Sequence, residues 1–322
     1  MEQRTLLHTD LTVSRACFGT MTFGKPCDQA ASTRLVDACI EHGMNFFDTA
    51  NMYQSGVAET MLGEALKGRR NRMIVASKAG CKMGPAKEDG GLSRAALTKA
   101  LDDTLRRMQT DYLDLYYLHF PDWSTPIEET LDAMDEAVRA GKVRYPASSN
   151  YAGWQVVQML WMSAQNGYTP AHVTQPMYNL LARGIEQEYL PMCKQFGCST
   201  VVYNPLAGGL LTGKQHIEKP IAGTRFDNNQ LYLDRYWHPG YFEAVEELRG
   251  IGEQAGRSLV DLSLSWVLHH TAADCVILGA SRMEQLEENL KALEAGPLPE
   301  DVVKACDGVW GKLRGITPKY NR

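Results

Sequence analysis

No run of about 18 apolar residues occurs anywhere in the 322-residue chain, so nothing in it reads as a membrane-crossing helix. The first residues, Met-Glu-Gln-Arg-Thr-Leu-Leu-His, lack the apolar region of a secretion signal, and a cytoplasmic location is expected. A C-x-x-C pair is also missing. The eight cysteines stand at positions 17, 27, 39, 81, 193, 198, 275 and 306, scattered through apolar segments as reduced thiols would be. A basic face is wanting too: 33 Lys and Arg against 38 Asp and Glu leave a net charge of −5, which argues against a nucleic-acid groove. The small cluster Lys67-Gly68-Arg69-Arg70 suits the solvated C-terminal end of a helix. No Pro/Ser-rich linker or low-complexity stretch divides the sequence, and residues 1–322 are expected to form a single domain.

What is present is an ordinary globular composition, 44% apolar and 22% charged, with a repeating order. Residues 4–7 and 11–13 flank His8-Thr9-Asp10 as a small hairpin. A short apolar strand then ends at Gly19, and helical spacing follows over 28–43. Strand, loop and helix recur: 46–48 leads to a helix ending near 67, 73–78 to a helix over 93–108, and 113–119 to one over 126–140. The second half continues with 143–150 and 154–165, 173–175 and 185–196, then 200–204. Residues 205–239 form a loop too long for a plain connector, carrying Gly208, Gly209, Gly213 and Gly223. Helices over 241–255 and 258–269 precede an eighth strand at 275–279, its helix at 283–292, and a last helix near 300–313. Eight strand-then-helix units predict an α/β fold, a (β/α)8 TIM barrel with an N-terminal β-hairpin and extra C-terminal helices.

Polar residues fall at the ends of these strands. Asp48 ends the second, Lys78 the third and His119 the fourth, while Tyr53 lies in the loop after the second. All four face the rim where this fold keeps its chemistry. Singly, Asp48 could cap a helix, Tyr53 could be a half-buried aromatic, and His119 a hydrogen-bonded core histidine. Lysine, however, is rarely buried without a partner, and a buried Asp48–Lys78 bridge is weak grounds for stability alone. Together the four suit one task. A nearby ammonium favours phenolate, and lowering a phenol by about two pKa units takes on the order of 2.7 kcal/mol, which a close Lys78 can supply. Asp48 would keep that lysine protonated and aimed, and His119 would orient a carbonyl oxygen. With no activated serine or cysteine nucleophile and no zinc-ligand spacing, this chemistry is carbonyl protonation while a cofactor delivers hydride.

Asn-Phe-Phe-Asp-Thr-Ala-x-x-Tyr (45–53), Val-Ala-Ser-Lys (75–78) and Asp-Leu-Tyr-Tyr-Leu-His (114–119) resemble motifs of the aldo-keto reductase superfamily. The likeness covers essentially the whole chain. Residues 118–131, 203–214 and 276–289 resemble most the aflatoxin-aldehyde and succinic-semialdehyde reductase branch. The resemblance implies a catalytic tetrad of Asp48, Tyr53, Lys78 and His119, and NADP(H) bound extended across the rim. Ser149, Asn150 and Gln175 match residues that hold the nicotinamide amide, and Tyr203 the ring that stacks on it. Asn204, Pro205, Leu206, Gly208 and Lys214 match a segment that wraps the pyrophosphate, with glycine-freed backbone amides as donors. Ser281, Arg282, Gln285 and Asn289 open the helix after strand eight, a setting that suits the adenosine 2′-phosphate and favours NADP over NAD. Arg225 resembles another phosphate-side arginine, and Thr20 and Met21 would line the cofactor.

Two features cut against easy readings. Gly250-Ile-Gly-Glu-Gln-Ala255 fits a dinucleotide fingerprint but lies within helical periodicity, not between a strand and a helix. The Tyr-x-x-x-Lys pair of short-chain dehydrogenases is missing. One departure from the family also stands out: where it usually has Gly-Val-Ser-Asn or Gly-Leu-Ser-Asn, this chain has Pro146-Ala147-Ser148-Ser149-Asn150, and the proline and the lost glycine could shift the rim of the fifth barrel strand.

Substrate choice is thinly written. Phe23, Trp123, Tyr232 and the carboxy-terminal Tyr320 and Arg322, beside Tyr53 and His119, are candidates for the pocket. Small aldehydes, semialdehydes and aldose sugars all fit a small-molecule carbonyl substrate; no nucleic-acid or membrane partner is expected, and a homo-oligomer is compatible with the sequence. The alternative to a reductase is a slow-turnover NADP(H)-sensing binding protein, as potassium-channel β-subunit relatives on this fold illustrate. A metal-dependent barrel hydrolase is a third reading, for which no ligand cluster is found.

Overall fold

The computed structural model describes residues 1–317 and 321. Strands β1 (Gln3–Thr5) and β2 (Thr12–Ser14) form an antiparallel hairpin. β3 (Ala16–Gly19), α1 (Gln29–Glu41), β4 (Phe46–Asp48), α2 (Val57–Ala65), β5 (Ile74–Ala79), α3 (Arg94–Met108), β6 (Leu113–Leu118), α4 (Ile127–Arg139), β7 (Val143–Ser149), α5 (Gly153–Asn166), β8 (Val173–Gln175), α6 (Tyr189–Phe196) and β9 (Ser199–Val202) follow. Then come α7 (Gln230–Tyr236), α8 (Pro239–Gln254), α9 (Leu259–His269), β10 (Cys275–Leu278), α10 (Met283–Glu294) and α11 (Glu300–Arg314). Strands β3 to β10 are parallel and close into an eight-stranded barrel in the order β10-β3-β4-β5-β6-β7-β8-β9. The expected (β/α)8 barrel with its amino-terminal hairpin is therefore the fold.

The chain divides into two compact units. One comprises Met1–Pro176, Glu188–Val201 and Asp274–Leu286; the other comprises Met177–Gln187, Val202–Ala273 and Glu287–Arg322. The barrel interior belongs to the first. Cys17, Phe46, Ala76, Leu115, Tyr117, Ala147, Val173, Val201 and Cys275 point inward, and the hairpin's Leu6, Leu11 and Val13 pack onto them as a floor. Parallel strands buried on both faces need such apolar runs. With the floor sealed by leucine and valine, polar chemistry is left to the opposite, C-terminal rim.

Helix starts follow local rules. Asp28 accepts from Ala31 N, Ser93 from Ala96 N and Ser258 from Asp261 N, each satisfying an orphan donor of the first turn. The helix read over 185–196 is a correction: a single 3-10 turn, Gly184–Glu186, comes first and α6 begins only at Tyr189. Pro191 explains it, since a proline lacks the N–H that a helix begun at 185 would need there, whereas in a first turn that donor is not missed. The long loop also holds a helix the sequence did not announce, α7.

In the second unit, Tyr178 packs 5.2 Å from Trp266, and the Arg183 guanidinium lies 4.7 Å over the same indole while pairing with Glu186 and Asp307 at 2.7 Å each. Gly250 and Gly252 lie inside α8, as expected of a fingerprint out of its context. Among the described residues no helix is long and apolar enough to cross a membrane, and no three His, Cys, Asp or Glu side chains gather as metal ligands. All eight cysteines are free thiols, seven of them buried.

Candidate active site

Register brings the strand-end residues together. Asp48 stands beside Ala76 across β4–β5, Lys78 beside Tyr117 across β5–β6, Leu118 beside Ser148 across β6–β7, and Ser149 beside Gln175 across β7–β8. Pro146 pairs with Tyr116 inside β7, and the ladder runs on unbroken to Ser149, so the proline leaves the rim in register.

Lys78 has no exposed surface. Its Nζ pairs with Asp48 Oδ1, donates to Thr49 O at 2.8 Å and reaches Tyr53 Oη at 3.5 Å. Asp48, 2% exposed, accepts on its other oxygen from Gln175 Nε2 at 2.9 Å. Burial pulls the lysine toward neutrality, but the Asp48 charge and then Tyr53 outweigh it and leave the ammonium held more firmly than a free lysine's. Asp48, Tyr53 and Lys78 are thus brought together on one rim.

His119 follows β6, its N–H donating to Ala79 O at 2.8 Å. Its ring stacks on Phe120 with centroids 4.5 Å apart and meets the Tyr53 ring edge-on at 6.3 Å. Burial, reinforced by the Lys78 charge, pushes the imidazole down to about 3, so it is neutral at physiological pH. Nδ1 lies 3.7 Å from Cys81 Sγ. A neutral imidazole, a phenol and a fixed ammonium converge on one face: two groups able to donate to a carbonyl oxygen and one that stabilises the negative charge left on the phenol.

The remaining rim residues of the first unit carry spare polar atoms. Thr20 N donates to Asp48 O at 2.9 Å, while its hydroxyl is buried without a partner, as are Thr49 Oγ1 and Asn51 Oδ1. Buried polar groups are seldom left unmade without reason. Ser149 Oγ donates to Gln175 O at 2.9 Å, and Asn150 Nδ2 donates to His119 O at 2.9 Å from a left-handed backbone, φ 63°. Gln285 Oε1 accepts from Ser281 N and Oγ at 2.8 and 3.0 Å at the start of α10, with Arg282 exposed beside them. These donors and acceptors fit a polar ligand laid along the strand ends. Met21 is 36% exposed, whereas Phe23, expected at the substrate mouth, has no exposed surface and packs 6.0 Å from Phe18. Trp123 is 80% exposed, its ring 6.4 Å from Trp154.

Within the second unit, Tyr203 pairs with Met177 and its carbonyl accepts from Tyr178 N at 3.2 Å. Asn204 is drawn inward: its Oδ1 accepts from Gly208 N at 2.6 Å and its Nδ2 donates to Tyr236 Oη at 2.8 Å. The amide of Gly209 goes to Leu206 O and that of Gly213 to Leu210 O. The amides of Gly208, Gly209 and Gly213 thus close the loop's own turns. Gly208 is required on two counts, φ +70° and a Tyr232 ring that a Cβ would meet at 2.7 Å. Tyr232 is buried, with Arg225 Nη1 donating to its hydroxyl at 3.2 Å; Lys214 is exposed, Asn289 buried, and Pro205 and Leu206 start the coil. Tyr320 and Arg322 lie outside the described residues. Sequence reasoning missed Cys81 and Phe120 beside His119, and Met52 beside Cys81, and no spacing in the chain would have announced them.

Comparison with known proteins finds relatives along most of the chain. The Aldo/keto reductase family profile matches residues 15–311. Aflatoxin B1 aldehyde reductase member 2 of Mus musculus is 39% identical over 94% of this chain and 86% of its own length. Human aldo-keto reductase family 7 member A3 is 36% identical over 94% and 96%, and a probable voltage-gated potassium channel subunit beta of Arabidopsis thaliana is 33% identical over 94% of each chain.

Proposed function

The chain belongs to the aldo/keto reductase family, an oxidoreductase of carbonyl compounds, and we propose that it reduces small aldehydes, semialdehydes or aldoses to alcohols at the expense of NADPH, with Tyr53 as proton donor. The observation that carries this reading is the buried Lys78 ammonium, clamped by Asp48 and Thr49 O and 3.5 Å from the Tyr53 hydroxyl.

Each residue has a definable part. Lys78 attracts the negative charge that grows on Tyr53 as its proton leaves; two unit charges 3.5 Å apart at an effective dielectric of about 20 attract by roughly 4.7 kcal/mol. Asp48 opposes some of that attraction but keeps Lys78 charged and immobile. His119, neutral, donates a hydrogen bond to the substrate oxygen and aims it at the phenol. NADPH, when bound, supplies the hydride. Ser149, Asn150, Gln175 and Thr20 hold its carboxamide end, while Ser281, Arg282 and Gln285 take the adenosine phosphate. On the family likeness we carry forward Tyr203, Asn204, Pro205, Leu206, Gly208, Lys214, Arg225 and Asn289 as cofactor residues and Tyr232, Trp123 and Phe23 as substrate-side residues. The two units are taken to work as one domain, a view supported by a family match that runs through both. A cytoplasmic setting accords with eight free thiols.

The reading is tested with the purified chain, NADPH or NADH, and a panel of aldehydes, ketones and sugars, following absorbance of the reduced nicotinamide. Oxidation driven by at least one carbonyl is expected. An inactive wild type that still binds NADPH would favour the sensor reading, for which the Arabidopsis channel-subunit relative is the specific reason.

A further inference from the structure

A neutral imidazole carries one proton on one of two nitrogens, and the part assigned to His119 works only if that proton is on Nε2. A hydrogen bond at Nδ1 decides this. Among the described residues one group reaches Nδ1, the thiol of Cys81 at 3.7 Å, on the loop that leaves β5 just beyond Lys78. Among the described residues the hydrogen bond at the His119 ring is made at Nδ1, not at Nε2. The ring cannot turn easily to exchange its nitrogens, because it lies against Phe120 at 18° between planes and edge-on to Tyr53.

We propose that Cys81 is a positioning residue: its S–H donates to Nδ1 of His119, fixing the imidazole as the Nε2–H tautomer that orients the substrate carbonyl. The thiol is in the right state to do so, since burial pushes it up to about 11 and it stays protonated. Its single proton has a second acceptor in reach, Met52 Sδ at 3.1 Å, but a thioether is a far weaker acceptor than an imidazole nitrogen. Met52 thus steadies the sulfur while the proton points to the histidine. The loop is built to hold this placement. Gly80 takes φ +127°, and its carbonyl accepts from Gly91 N at 3.0 Å, while His119 N is tied to Ala79 O, two residues before the thiol.

The inference rests on the reductase reading, so its test includes a readout that does not need turnover. The probe is the full chain labelled with 15N-histidine, His119 being assigned by its loss in His119→Asn. In the wild type the two ring nitrogens should report the Nε2–H form; in Cys81→Ala that preference should be lost, and Cys81→Ser, which keeps a donor, should restore it. With carbonyl substrate, Cys81→Ala should lower kcat about five- to tenfold, the worth of one modest hydrogen bond, with the KM for NADPH unchanged and kcat recovered in Cys81→Ser. An Nε2–H signal as strong in Cys81→Ala as in the wild type would overturn the proposal. A tautomer shift in a chain that reduces no carbonyl would support the hydrogen bond and count against the reductase reading instead.

Discussion

Replacing Lys78 with methionine keeps the volume of the side chain and removes its charge. In the variant the Asp48 carboxylate, 2% exposed, retains Gln175 Nε2 at 2.9 Å as its side-chain donor. Breaking a buried pair by deleting one partner typically costs about 3–5 kcal/mol, because the other charge stays behind desolvated. Urea unfolding followed by far-UV circular dichroism should show a loss of that size at pH 7. The double variant Asp48→Asn/Lys78→Met should regain most of it, since no isolated charge is then buried. Turnover should behave differently. The attraction across 3.5 Å is roughly 4.7 kcal/mol before Asp48 offsets part of it; if about 2.7 kcal/mol survives, kcat falls at least a hundredfold in both variants. A Lys78→Met protein within about 1 kcal/mol of wild type and within tenfold of its rate would refute the reasoning.

Other outcomes follow from the same geometry. Arg282→Ala should raise the KM for NADPH far more than that for NADH, and an equal rise for both would remove Arg282 from the 2′-phosphate. His119 is depressed to about 3 from an ordinary value near 6.5, so between those limits the unfolded chain takes up a proton that the folded one refuses. Its contribution to stability is intact above about pH 6.5 and drains away as pH falls toward 3, at up to about 1.4 kcal/mol per pH unit; His119→Asn should flatten that acid slope in urea titrations. Gly208→Ala forces a side chain onto the Tyr232 ring at a positive φ and should cost on the order of 1–3 kcal/mol, readable in the same unfolding assay.

The barrel was legible because its strands are short apolar runs separated by helical spacing, and the site because Asp48, Lys78 and His119 are polar residues at the ends of such runs. Charge is costly where those side chains lie, so their presence demanded a reason. Other features leave no such mark. Helix α7 is hidden because its apolar positions do not form one stripe: Leu231 is exposed, while Tyr232 and Tyr236 turn inward. The late start of α6 follows from a single proline whose effect depends on which turn it occupies. In the Gly-rich loop Asn204 and the loop's own carbonyls engage the glycine amides, a three-dimensional matter that composition does not carry. Cys81 reaches His119 across 38 residues of sequence with no motif to announce it.

The central claim is that the Tyr53 phenol delivers the proton to the carbonyl oxygen. Tyr53→Phe removes that one hydroxyl and leaves the Asp48–Lys78 pair and the Gln175 bond in place. The direct measurement sets NADPH binding by fluorescence titration against NADPH oxidation with a reducible aldehyde. The account predicts an unchanged Kd and turnover lost by at least a hundredfold. Turnover near the wild-type rate in Tyr53→Phe, with the cofactor bound as before, would contradict it.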